Sequence, residues 1–159
     1  MISKNDLRDK YVFFDIDGTL AAYRFNNHVG EPVVTDNGMN ISDLSDGIFL
    51  KREPSKFMQK VVLDIKDVAR EIICLSYCVS DRERVDKNLW LDKYYPMIKR
   101  RFLIDLDKNK AETILKYCSD NNILLDDVVF IDDVLDYLRE AERLGIKSYH
   151  ISSFLDYFM

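Results

Sequence analysis

At 159 residues the chain is long enough for one domain with a buried core, and its 47% apolar and 32% charged content is that of a soluble globular protein. A formal net charge of −5 gives no whole-protein attraction to nucleic acid or an anionic membrane, although a local basic patch stays open. No apolar run approaches a membrane span, and Met1 to Asp6 do not read as a secretory leader, so neither an anchor nor export is expected.

The first predicted element is a strand. Tyr11, Val12, Phe13 and Phe14 run together without helical spacing, as in a strand buried on both faces. The run ends in Asp15-Ile16-Asp17-Gly18-Thr19-Leu20, two carboxylates one residue apart followed by a turn signal. Carboxylates that close repel unless a cation or a shared proton compensates, and Mg²⁺ suits an all-oxygen site. An EF-hand loop is excluded, because Thr19 stands where a third acidic or amide ligand belongs and Asn26 where the closing Glu belongs.

Residues 21–54 are irregular. Ala21 to Phe25 and Pro32 to Thr35 are expected to pair as a hairpin, and Ile48-Phe49-Leu50 to form a short strand. Pro54 and Ser55 open a helix whose apolar stripe is Phe57, Met58, Val61, Val62, Ile65 and Ala69. Glu71 to Ser76 reads as a second buried strand ending in a hydroxyl. Ser80-Asp81-Arg82-Glu83 has the form of a capping box and starts a helix carrying Val85, Leu89 and Trp90, stopped near Tyr95-Pro96. Arg101 to Ile104 is a third strand. Asn109 caps a helix with Ala111, Ile114, Leu115 and Cys118 on one face. Val128 to Ile131 is a fourth strand, ending in Asp132-Asp133. A helix from about Leu135 runs to Leu144, where Gly145 is its stop, and Ile146 to Ile151 is a fifth strand.

Strands alternating with helices at this spacing predict an α/β fold: a Rossmann-like parallel sheet of about five strands with helices on both faces. The whole chain, 1–159, reads as a single unit, with 21–54 a small lid or flap. Cys74, Cys78 and Cys118 are odd in number and set among apolar residues, which predicts buried thiols in a reducing, cytoplasmic compartment rather than disulfides.

Four polar features fall where such a sheet gathers them: Asp15 with Asp17, then Ser76, then Lys108 or Lys110, then Asp132 with Asp133. Their order and spacing resemble the four motifs of the haloacid dehalogenase (HAD) superfamily of phosphotransfer enzymes, over residues 11 to about 152. The resemblance implies a Mg²⁺-dependent phosphatase. Asp15 would be the nucleophile, forming an aspartyl-phosphate, and Asp17 the general acid and base. Ser76 and Lys110 would meet the phosphoryl charge. Lys110 is preferred over Lys108 because it follows the cap Asn109. Mg²⁺ would bridge Asp15, the backbone carbonyl of Asp17 and the Asp pair, with Asp133 the direct ligand and Asp132 a second contact or an orienting group. The fourth motif often carries an acid or Asn where this chain has Tyr137.

The short lid implies an open site for an accessible phosphate end, or one closed by a partner subunit; monomer and homodimer both fit. Arg24, Lys51, Arg52 and Lys56 are candidate contacts to an anionic substrate. Val85 to Pro96 is similar to a helix of deoxyribonucleotidase-type members, which leans the small phosphomonoester toward a nucleotide. Three alternatives stand beside this: a catalytically idle HAD-like binding or regulatory module, a phosphatase of nucleic acid ends, and a phospho-acceptor receiver domain. The last has its Asp pair first and its acceptor later, the reverse of the order here.

Overall fold

The structure is a computed structural model describing residues 1–22 and 48–159. Its elements in chain order are β1 (Tyr11–Phe14), α1 (Lys56–Ile65), β2 (Glu71–Cys78), α2 (Asp81–Tyr94), β3 (Arg100–Asp105), α3 (Lys110–Asp120), β4 (Val128–Asp132), α4 (Leu135–Arg143) and β5 (Lys147–His150). The five strands form one sheet in the order β3-β2-β1-β4-β5, and every pairing is parallel. The predicted α/β architecture is what forms.

Alternation along the strands sends side chains to two cores. Val12, Phe14, Ile72, Cys74, Val129 and Ile131 pack under α1 and α2. Phe13, Ile73, Leu75 and Phe130 face α3 and α4. Both faces being covered explains why these strands read as unbroken apolar runs. The helix ends follow their sequence signals. Ser55, Ser80 and Asn109 each accept a backbone N–H at the start of α1, α2 and α3. Gly145, at φ +85°, ends α4 in the left-handed conformation, where a Cβ is disfavoured.

Two features of the sheet position the site. β1 lies between β2 and β4, so the chain leaves it in opposite directions and a crevice opens at its carboxyl end. And β2 overhangs. Phe14 pairs with Cys74, but β2 continues to Cys78, still paired to β3. Ser76, the predicted strand end, therefore sits on a wall above the end of β1 rather than in a turn, two residues before the strand ends at Cys78.

Several local expectations are corrected. Ile48–Lys51 is a 3₁₀ turn, not a strand. Its Phe49 is drawn into the core against Trp90, 5.6 Å between ring centres, and Arg52 N–H closes the turn on the Phe49 carbonyl at 3.0 Å. α1 ends at Ile65, short of Ala69, and Phe57 is partly exposed. On α2 the expected stripe is wrong. Val85 and Leu89 are more than half exposed, and the buried face is Glu83, Asp86, Lys87, Trp90 and Leu91. β5 is shorter than predicted, Lys147–His150. The hairpin proposed for 21–25 and 32–35 lies, beyond Ala22, outside the described residues, as do Arg24 and most of the lid. No described helix is long and apolar enough to cross a membrane. The three cysteines are buried and free.

Candidate active site

The site is built at the crevice. Asp15 follows β1 directly, and its N–H donates to the Ile131 carbonyl of β4 at 3.0 Å, so the sheet ladder itself fixes where its side chain stands. Gly18 then adopts φ +78°, which turns the chain so that Thr19 and Ala21 N–H both return to the Ile16 carbonyl, at 3.2 and 2.8 Å. A side chain at Gly18 would oppose that turn. The turn leaves Asp17 half-buried and facing β2.

Lys110 is the first helical residue of α3, just after its Asn109 cap. Its Nζ lies 2.7 Å from Asp15 Oδ1 and 2.7 Å from Asp132 Oδ2, all three residues buried. The rings of Tyr77 and Tyr137 enclose the ammonium, with centres 5.2 and 4.9 Å away. Tyr137 thus occupies space beside the lysine, where the resemblance suggested an acid. Lys108 is mostly solvated and only 3.8 Å from its neighbour Asp107; the lysine the geometry brings in is Lys110.

Asp15, Asp132 and Asp133 each offer a carboxylate oxygen within 4.8 Å of the others. Asp132 has both oxygens engaged, one by Lys110 and one by the Val134 N–H at 2.8 Å. The backbone carbonyl of Asp133 accepts from His150 Nε2 at 3.0 Å. Three carboxylates around one ammonium are short of positive charge. Burial pushes Asp15 up to about 7, against the pull of Lys110 and with the help of Asp132 and Asp17. Burial likewise raises Asp133 to about 6, and Asp15 adds to it. Burial also raises Asp132, opposed by Lys110. Groups held in that state favour a bound cation, and an all-carboxylate donor set fits a hard one.

The second half of the site was not foreseen. Lys87 of α2 is 1% exposed and places its Nζ 2.6 Å from Asp17 Oδ2, 3.1 Å from Ser76 Oγ, 2.6 Å from the Tyr77 carbonyl and 3.0 Å from Glu83 Oε1. Ser76 Oγ itself lies 3.4 Å from Asp17 Oδ2. Burial alone would raise the Asp17 carboxyl, but the positive charges of Lys87 and Arg52 outweigh it and hold it below the usual range. Burial would lower both lysines; their carboxylate partners outweigh it and hold each ammonium charged. Asp17 Oδ1 and Thr19 Oγ are buried with no hydrogen-bond partner among the described residues. Of the proposed anion contacts, Lys51 and Lys56 are exposed, and Arg52 is buried with its side chain over Phe49.

A scan against protein-family models finds no match, and no curated protein matches the chain. Solved structures do. The HAD family enzyme bt-2542 of Bacteroides thetaiotaomicron, an Asp-to-Ala mutant in complex with magnesium and inorganic phosphate, matches with a TM-score of 0.59 at 14% identity, covering 88% of this chain and 92% of that one. The chain has the fold of HAD-like hydrolases. SP0104 of Streptococcus pneumoniae, a haloacid dehalogenase-like hydrolase, aligns at TM-score 0.60 and 10% identity over 91% of this chain and 84% of its own. The phosphatase-containing N-terminal part of BF1531 from Bacteroides fragilis, complexed with Mg, aligns at 0.52 and 17% over 90% of this chain but 36% of its own.

Proposed function

We propose that the chain is a Mg²⁺-dependent phosphomonoester hydrolase acting through a phosphoryl group carried on Asp15. The observation that carries this is the convergence of Asp15, Asp17, Ser76 and Lys110 at one crevice, from two separate segments of the sheet and one helix start. An idle binding module would have no need of four converging charged and polar groups, three of them kept buried against the cost of desolvation. The HAD-fold structures that hold magnesium and phosphate favour the same ligands here.

Asp15 attacks phosphorus in line with the leaving oxygen, and Lys110 offsets the charge gathered at Asp15 and the phosphoryl oxygens. Ser76 Oγ–H donates to a phosphoryl oxygen. Asp17 protonates the leaving oxygen, then takes a proton from the water that cleaves the Asp15 ester. Lys87 keeps Asp17 ionised when the site is empty; the negative charge of an arriving phosphate raises its proton affinity. Asp15, Asp133, the Asp17 carbonyl and, less directly, Asp132 would hold Mg²⁺, which when bound neutralises phosphoryl charge. The substrate is a small phosphomonoester, with nucleotides the first class to screen, and the buried thiols suit a reducing cytoplasmic compartment.

Hydrolysis of nitrophenyl phosphate, with Mg²⁺ and with a chelator, tests the reading. Wild type should turn over only with Mg²⁺, and folded Asp15→Asn should not. Asp17→Asn should give a stoichiometric burst and one added phosphoryl group by intact mass. Turnover by Asp15→Asn at the wild-type rate, or a burst-free Asp17→Asn that still turns over slowly, refutes the covalent route.

A further inference from the structure

We infer that Lys87 is a positioning residue: it pins Oδ2 of Asp17 and so fixes the orientation of the carboxylate that transfers the proton, an inference that rests on the hydrolase reading above. The geometry is specific. An ammonium has three donors, and Lys87 Nζ has four acceptors within 3.1 Å, two of them on Asp17 and Ser76. The ring of Phe49 stands 5.1 Å from the ammonium on another side. It is therefore held on every side and cannot follow a moving partner.

Its support reaches back to a helix cap. Glu83, also buried, accepts the Val79 N–H on Oε2 at 2.7 Å, and its own N–H donates to the Ser80 cap hydroxyl at 3.1 Å. Glu83 then holds Lys87 one helical turn later. The cap of α2 thus fixes Glu83, Glu83 fixes Lys87, and Lys87 fixes Asp17.

A free carboxylate can exchange its two oxygens by rotation. Here rotation would break a charged hydrogen bond of 2.6 Å to a lysine that is itself 1% exposed, so the carboxylate keeps one orientation. Oδ1 is buried and has no hydrogen-bond partner among the described residues, so the orientation of the carboxylate is set from its Oδ2 side, by Lys87 and Ser76. In the first half-reaction the Asp17 carboxyl gives its proton to the leaving oxygen, which keeps the electron pair of the breaking P–O bond. In the second, the Asp17 carboxylate takes a proton from water as the water oxygen bonds to phosphorus and the Asp15–phosphorus ester breaks. A buried ion pair with no such task brings little net stability over apolar residues of like size.

The test compares Lys87→Met with Lys87→Met/Glu83→Gln; the second removes the carboxylate that the first leaves unpaired, in case the single variant does not fold. The kcat and KM for an alkyl phosphate and for nitrophenyl phosphate are measured in the wild-type and Asp17→Asn backgrounds. Nitrophenolate needs no proton to leave. Loss of Lys87 should therefore lower kcat/KM on the alkyl ester by about tenfold to a hundredfold, part of the ~10²–10⁴-fold that general acid–base help provides, and on the nitrophenyl ester far less. KM for the alkyl ester should hold, and adding the change to Asp17→Asn should cost nothing further. Equal losses on both esters, losses that multiply in the Asp17→Asn background, or wild-type rates overturn the inference. A raised KM at unchanged kcat assigns Lys87 to phosphate binding instead. Active wild type with unaffected Lys87 variants overturns the inference alone, whereas inert wild type overturns the hydrolase reading and the inference with it.

Discussion

Replacing Asp15 by Asn should stabilise the metal-free protein, although it removes the proposed nucleophile. Burial raises the Asp15 carboxyl from 3.8 to about 7, which at ~1.4 kcal/mol per tenfold change in proton affinity is a penalty of about 4 kcal/mol on the ionised form. The sign follows from proton counts. Below pH 3.8 both the folded and the unfolded chain carry the proton and no penalty exists. As pH rises toward 7 only the folded chain still binds it, so folding stability falls across that window, and above pH 7 the penalty is complete. Asn carries no charge at any pH. The pull of Lys110 on the ionised form is already inside that value, and an amide oxygen at position 15 can still accept from Lys110. The gain is up to about 4 kcal/mol of added stability at pH 8, or roughly 8–16 °C in Tm for a chain of this size. At pH 5.5 about half the penalty has developed, and the advantage should be about half as large. Thermal unfolding of both proteins with chelator at pH 5.5 and pH 8 measures this. An Asn variant no more stable than wild type at pH 8, or one whose advantage does not grow with pH, refutes the account of Asp15 as a carboxylate lacking counter-charge.

Mg²⁺ should raise the Tm of wild type through preferential binding to the folded state, and Asp133→Ala should remove most of that rise while costing the metal-free protein nothing, since burial already disfavours the Asp133 charge; titrating Mg²⁺ in a thermal-shift assay decides, and equal shifts count against Asp133 as a ligand. Leu89→Gln should change unfolding free energy by no more than ~0.5 kcal/mol in a denaturant titration, because Leu89 faces solvent; a loss of 2 kcal/mol or more would restore it to the core.

The acids were legible because their position is costly. Nothing in a buried strand requires Asp15 and Asp17 at its end, so a sequence that keeps them there announces a site. Lys110 was half legible: the Asn109 cap suggested it, but only the direction of α3 separates it from solvated Lys108. Lys87 was missed because the helix was read from its most apolar letters. Val85 and Leu89 drew the stripe to the wrong side, while Trp90, whose indole N–H donates to the Arg52 carbonyl at 2.9 Å, marks the true one. Lys87 and Asp86 lie three and four residues before Trp90, on the same face. A lone Trp sharing its face with charges was the available signal. Ser76 was placed correctly in the chain but given the wrong setting, since overhang depends on where β1 stops, not on β2 itself.

The hydrogen bond from Asp15 to Ile131 has a consequence for how the protein is made. Lys110 lies 95 residues from Asp15 in sequence, and Asp132 comes later still. While the chain grows, the first acids exist long before the groups that balance them. Until β4 docks beside β1, Asp15 has neither its lysine nor its companion carboxylates, and can stay solvated at little cost. Docking of β4 creates the charge conflict and gathers the carboxylates proposed to hold Mg²⁺ in one step. A divalent cation would therefore act late, favouring the chain whose last strands are in register over one in which they are displaced by a single residue.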